Sequence, residues 1–273
     1  MKPLLSTAAQ RIASGTVASD EIITSILSRR QQLGRIVALS SLVDDPRYSN
    51  MVMAAKQIPG RVGQRIEDLL RLRPDLVILA SFNRTELFSQ LSEAGIPLYR
   101  MDGFASLADI SRHIRELGKR LGEDQAAAEV LVEFQAEQQQ FAAAMKKAKE
   151  GGAVLTMLNW QADGLLWGSA TLFDSMLAML SCENLAAQAG VKGWARLSDE
   201  VLASLKPEWL IIPGEAQQRD EILAELAAKP ALAQMPAVTK QQIILVPPAE
   251  LQAFSPAILK AMAKIVAPFL DSL

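Results

Sequence analysis

The sequence predicts an α/β fold of two similarly built lobes, each around a central sheet, joined by one long α-helix. Three observations carry this. The first is a phrase that occurs twice. Residues 67–79 read Glu-Asp-Leu-Leu-Arg-Leu-Arg-Pro-Asp-Leu-Val-Ile-Leu, and residues 200–212 read Glu-Val-Leu-Ala-Ser-Leu-Lys-Pro-Glu-Trp-Leu-Ile-Ile. Each runs from a Glu to a Pro (Glu67 to Pro74, Glu200 to Pro207), then through an acid into an apolar run. Pro disfavours helical geometry in the residue before it, so a short amphipathic helix ends there and a buried strand follows. The second observation is the alternation of strand-like and helical segments on either side of the chain's middle, the pattern of parallel sheets covered by helices. The third is residues 123–150, rich in Ala, Gln, Glu and Lys and without Gly or Pro. They read as one helix of about 26 residues, roughly 39 Å long at 1.5 Å per residue. That is too long for an ordinary crossover and suits a stiff strut. The expected domains are therefore 1–122, 123–150 and 151–273.

In the first lobe Arg11–Ala13 reads as a short strand. Gly15 to Ser19 reads as a turn, with Ser19 as N-cap of a helix over 20–30. Ile36–Ser40 is strand-like, and 43–50 is a polar loop holding Asp44-Asp45-Pro46. Leu76–Ala80 is a strand, followed by a loop and a helix over 85–94 that Gly95 ends. Ile96–Met101 is the next strand. Helix 107–121 follows the loop Asp102-Gly103-Phe104, with Ser106 as its cap. In the second lobe Ala153–Leu158 is a strand, and Leu165 to Trp167 reads as the return arm of a hairpin closed by Gly168. Helices over 172–180 and 218–228, strands at 210–212 and 243–246, and a last helix beginning near Ser255-Pro256 complete the lobe. Pro suits that first helical position.

Composition narrows the function classes. The chain has 273 residues, 50% of them hydrophobic, and a formal net charge of −2. No basic stripe appears, so nucleic acid is not expected as a partner. No segment holds 18 uninterrupted apolar residues, so none is expected to span a membrane. The first six residues are too short and polar for a signal peptide, so the chain is either cytosolic or a processed form with an added Met. A lone Cys182 excludes an internal disulfide framework and reads as a packed thiol at a helix end. The chain carries no Gly-x-Gly-x-x-Gly, Gly-x-x-x-x-Gly-Lys or Gly-x-Ser-x-Gly motif. With one His in the chain, His113, a Ser-His-Asp triad and a zinc site of three or four ligands are both unexpected. No catalytic residue, resident metal or cofactor is expected.

In open α/β sheets ligands bind beyond the carboxyl ends of the strands. The loops there offer Tyr48, Arg61, Phe82, Arg84 and Phe104 in the first lobe, and Trp160, Trp167, Trp194 and Glu215 in the second. Aromatic anchors in loops suit a wide, planar or amphipathic ligand, and guanidinium groups suit its acidic substituents. Each residue has a plainer reading too: a Trp or Phe at a strand end also packs a core, and an Arg also sits on a solvated surface.

The doubled phrase, the strand-loop-helix segment 76–94, the segment Gly168–Leu185, Phe254-Ser255-Pro256 before the last helix, and the long central helix together resemble a class III periplasmic substrate-binding protein of ABC importers for cobalamin, iron-siderophores and haem. The resemblance runs from Arg11 to the final helix. It implies two Rossmann-like lobes facing across a shallow ligand cleft, a helix limiting their hinge motion, an acid on each lobe docking on an ABC permease and ATPase complex, and a periplasmic or extracellular membrane-associated location. Glu67 and Glu200 occupy the docking positions. Trp194, six before Glu200, matches an aromatic position of cobalamin binders, whereas Arg61, six before Glu67, departs from it, as do Leu42 and Asp45 where those binders carry Tyr. The resemblance thus implies an iron-siderophore-like chelate first, a corrinoid second and haem third. Haem would call for a Tyr or His axial ligand, and only Tyr48 and Tyr99 exist. A sensor or an enzyme on the same fold is the rival class.

Overall fold

The computed structural model describes residues 8–63, 65–149 and 154–270. The chain divides into two compact units. The first holds the residues through Gly103, Ala108–Phe134 and Ala253–Ala257; the second holds Phe104–Leu107, Gln135–Gln252 and the residues from Ile258 onward.

The first unit is built on five parallel strands, β1 (Ile12–Ser14), β2 (Ile36–Ser40), β3 (Arg61–Val62), β4 (Leu76–Ala80) and β5 (Leu98–Met101), in the order β3-β2-β1-β4-β5. All five residues of β4 and all three of β1 are buried, as continuous apolar strands covered on both faces should be. The second unit holds a four-stranded parallel sheet, β11-β10-β6-β8, formed by β6 (Thr156–Asn159), β8 (Glu183–Asn184), β10 (Trp209–Pro213) and β11 (Ile243–Val246). A separate antiparallel pair joins β7 (Leu165–Trp167) to β9 (Trp194–Arg196). The expected central helix runs unbroken from Asp124 to Ala148 and passes from the first unit into the second. Its opening stretch is held within the first unit by ion pairs Arg35–Glu123 at 3.0 Å, Arg30–Glu129 at 2.7 Å and Arg29–Glu133.

Two local expectations are corrected. The first helix starts earlier, over Val17–Ser28, with Thr16 at its cap position. Ser19 lies inside it, fully buried, and its hydroxyl meets Ser14 Oγ at 2.6 Å and the Thr16 carbonyl at 2.9 Å. The residues Leu165 to Trp167 do not return along β6. The Asn159 side chain stands where a ladder would be: its Oδ1 accepts from the Trp167 N–H at 2.7 Å and its Nδ2 donates to the Leu165 carbonyl at 3.2 Å. That frees β7 to pair with β9. Gly168 is obligatory at this junction, because a Cβ there would lie 2.0 Å from the Val191 carbonyl oxygen. Ala153, the expected start of the β6 strand, lies outside the described residues.

The doubled phrase is doubled structure. Helix Ile66–Arg71 precedes β4, and helix Asp199–Ser204 precedes β10, every boundary displaced by the same interval as Glu67 and Glu200. The stops match as well. Arg73 (φ 46°) and Lys206 (φ 50°) both adopt left-handed geometry, donating to Leu70 O at 3.0 Å and Ala203 O at 3.2 Å, immediately before the two prolines. Glycine is the residue such a cap favours, and a side chain there costs ~1–2 kcal/mol. Both side chains are exposed, so Arg73→Gly and Lys206→Gly are each expected to stabilise the protein by about 0.5–1 kcal/mol, after allowing for glycine's greater unfolded-state freedom. Urea denaturation measures this. An unchanged or lower midpoint in both variants contradicts the cap assignment.

Candidate ligand-binding loops

Because every strand of each main sheet is parallel, all carboxyl ends in a unit emerge at one edge. In the first unit that edge carries three of the large apolar side chains left in solvent: Leu42 and Tyr48 after β2 are 50% and 49% exposed, and Phe82 after β4 is 64% exposed. The loops holding them are fixed from beneath. Asn83 folds its own loop back, accepting from the Ala80 N–H at 2.6 Å and donating to the Gly15 carbonyl at 3.2 Å. Glu21 anchors the far end of the 41–50 loop, accepting from the Asn50 main chain at 2.9 Å and side chain at 3.1 Å. Ser255 donates to the other oxygen of the same carboxylate. Loops braced in this way have little left to order if a partner covers their exposed apolar groups.

The charges at this edge come in pairs. Arg61 forms a two-pronged ion pair with Asp44, both contacts at 2.7 Å, and also donates to the Ile58 and Gly60 carbonyls and to Ala55 O at 3.3 Å. Its guanidinium therefore closes the loop it sits in, where the sequence suggested a group facing the ligand. Arg84 lies 3.7 Å from Glu86, Arg47 2.6 Å from Asp45, Arg65 3.2 Å from Asp68 and Arg100 3.0 Å from Asp102. The arginine hydrogen bonds hold the Asp44 and Asp45 carboxyls below the usual carboxylate range. Arg47 also lies over the Tyr48 ring, 5.6 Å from its centre. Phe104 is half-buried, at the point where the chain enters the second unit.

In the second unit the three tryptophans separate. Trp160 is 2% exposed and packs into the core with Leu166, Leu202, Leu226 and Leu232, while Lys229 Nζ sits 5.6 Å above its ring. Trp167 is 7% exposed and meets Phe173 edge-on at 5.6 Å. Both therefore sit in the core and present little surface to solvent. Trp194 alone stands out, 68% exposed, opposite Trp167 in the β7–β9 register. Glu215 is exposed at the end of β10, its N–H held by Gln218 Oε1 at 2.7 Å. The two docking candidates are both exposed, each the second residue of its helix. A hydrogen bond from Ser198 holds the Glu200 carboxyl below its ordinary value.

The remaining chemistry-bearing residues are engaged structurally. His113 is fully buried, its Nε2 donating to the Gly103 carbonyl at 2.9 Å, and burial keeps it neutral. Tyr99 is buried and donates to Glu116. Cys182 is buried, which pushes its thiol up. Among the described residues no group of three or more His, Cys, Asp and Glu is placed to hold a metal ion. Sequence reasoning missed Asp44 and Asp45 as arginine partners. The signal was present in the two acids just before Pro46 and Arg47, but a pairing across the loop to Arg61 has no periodicity to reveal it.

Comparison with known proteins agrees with this architecture. The family model for periplasmic binding proteins matches residues 12–250. The chain is 22% identical over 160 residues to an ABC transporter substrate-binding lipoprotein, YvrC, of Bacillus subtilis; the match takes in 56% of this chain, which spans about half (49%) of that relative's length. Among solved structures, the apo haem-binding protein RhuT of Roseiflexus sp. RS-1 superposes with a TM-score of 0.76 at 25% identity, covering 97% of this chain and 99% of that one. A possible iron-binding periplasmic solute-binding protein of Staphylococcus epidermidis gives 0.79 at 20% identity, covering 96% and 98%. The vitamin B12 binding protein BtuF of Vibrio cholerae gives 0.73 at 18%, covering 97% of each chain. The last two show a shared fold. The chain belongs to the periplasmic binding protein family.

Proposed function

We propose that this periplasmic binding protein is the substrate-binding component of an ABC importer, working outside the cytoplasmic membrane, and that it captures a metal chelate of the siderophore kind or a corrinoid. Residues 1–122 and 151–273 act as the ligand-facing lobes, and the helix between them as their stiff link. The observation that carries the reading is that each unit leaves large apolar side chains in solvent: Leu42, Tyr48 and Phe82 on braced strand-end loops of the first, and Trp194 in the second. Exposed apolar groups of this kind are what a ligand would cover. The similarity to a substrate-binding lipoprotein supports a binding protein over an enzyme. Titration with a ferric siderophore, cyanocobalamin and haemin, followed by Trp fluorescence and visible absorption, tests it. Binding of none of the three at micromolar concentration rejects the ligand class.

Haem is the second reading, favoured by one observation: of the two tyrosines, Tyr48 is half exposed on a strand-end loop while Tyr99 is buried. A phenolate–iron charge-transfer band, lost in Tyr48→Phe, distinguishes it from the first.

Glu67 and Glu200 are proposed as the permease contacts. Exposed charges of this kind add little affinity each but set orientation and on-rate. The double Ala variant is expected to keep its ligand affinity and melting temperature while uptake by the reconstituted transporter slows. Loss of ligand binding in either single variant rejects the assignment.

A further inference from the structure

We infer that the ligand is electroneutral or weakly cationic, and that carboxylate-rich chelates are poor cargo; this rests on the transport reading above and narrows its substrate class. Each arginine in the described strand-end loops of the first unit has a carboxylate partner, from the tight Arg61–Asp44 fork to the looser Arg84–Glu86 contact, and exposed Glu67 adds an acid with no ion pair among the described residues. Each pair sums to zero. An approaching carboxylate meets an acid beside every guanidinium, so the attraction of one is largely cancelled by the repulsion of the other. The Asp44 and Asp45 carboxyls are held below their ordinary value and stay ionised at neutral pH, so the cancellation persists there. In the second unit Arg196 pairs with Asp163 at 2.7 Å, while exposed Lys192 near Trp194 and exposed Glu215 have no ion-pair partner among the described residues and are opposite in sign. Between the pairs stand apolar side chains. Such a surface gains from desolvating an apolar, uncharged ligand and loses from stripping water off an anion that it cannot compensate.

The experiment compares matched probes that differ in charge. One set is haemin against haemin dimethyl ester; the other is an electroneutral ferric tris-hydroxamate against a trianionic ferric tris-catecholate. The neutral member of whichever set binds is expected to win by roughly tenfold or more, with little change in Kd between low and high salt. A variant, Asp45→Asn, removes the carboxylate charge beside Arg47 and is expected to gain affinity for the anionic member, a gain that salt removes. Tighter binding of the anionic member by the unaltered protein, or an affinity that falls steeply with salt, overturns the charge inference and leaves the transport reading standing. Failure of all four probes, and of cyanocobalamin, to bind overturns both.

Discussion

Asp20→Asn is expected to remove a fall in stability that the unaltered protein shows as pH rises from about 4 to about 7. Asp20 is fully buried on the first helix, and its oxygens accept from the Ser40 N–H at 3.1 Å and the Ser40 hydroxyl at 2.6 Å. Burial raises its pKa from 3.8 to about 7, against the hydrogen bonds from Ser14 and Ser40, with a smaller push from the Glu21 charge. Between those two values the folded chain keeps a proton that the unfolded chain has released. Proton uptake therefore favours folding. This group's contribution is complete below the unfolded value, declines as pH rises, and is gone above the folded one. The span corresponds to about 4 kcal/mol at 1.36 kcal/mol per unit. His113 acts with the opposite sign: burial lowers its pKa, so its contribution grows as pH rises towards 6.5. The difference between variant and parent isolates Asp20. Urea denaturation of both proteins at several pH values from 4 to 8 gives that difference. A gap that stays constant across the range means that Asp20 is ionised in the folded state at all of them.

The folds of both units were legible because their signals are local. The interval between the two Glu-to-Pro phrases carried over to helix boundaries, to the left-handed caps at Arg73 and Lys206 and to the strands β4 and β10. The long helix showed itself by lacking a breaker between Gly122 and Gly151. What stayed hidden depends on side-chain contacts that no periodicity announces. The hairpin expected at Leu165 failed because one side chain, Asn159, takes the main-chain groups a neighbouring strand would use. Arg61 reads as a free cation until the loop brings Asp44 to it. A Trp at a strand end has the same local sequence signature whether it turns inward or outward. Which way it turns is decided by the helices that cover the sheet, so Trp160 and Trp194 were indistinguishable before the fold was known.

Those two residues now separate into opposite expected results. Trp160→Ala empties a buried position between Leu166, Leu202, Leu226 and Leu232, and large-to-small changes of this kind cost about 3–5 kcal/mol. Its effect should appear as a lowered melting temperature and urea midpoint with or without ligand. Trp194→Ala removes a side chain that is 68% exposed, so the folded state alone should lose little, within about 0.5 kcal/mol. If the ring is covered by ligand on binding, the loss appears there: ~1.5–3 kcal/mol of burial, or roughly ten- to a hundredfold in Kd. Trp194→Phe should recover most of it, because a flat apolar face is what the contact requires. The order of the two effects is the test. A Trp194→Ala protein with unchanged affinity for the tightest-binding probe removes this residue from the ligand surface. A Trp160→Ala protein of normal stability but weakened affinity puts Trp160 back on it.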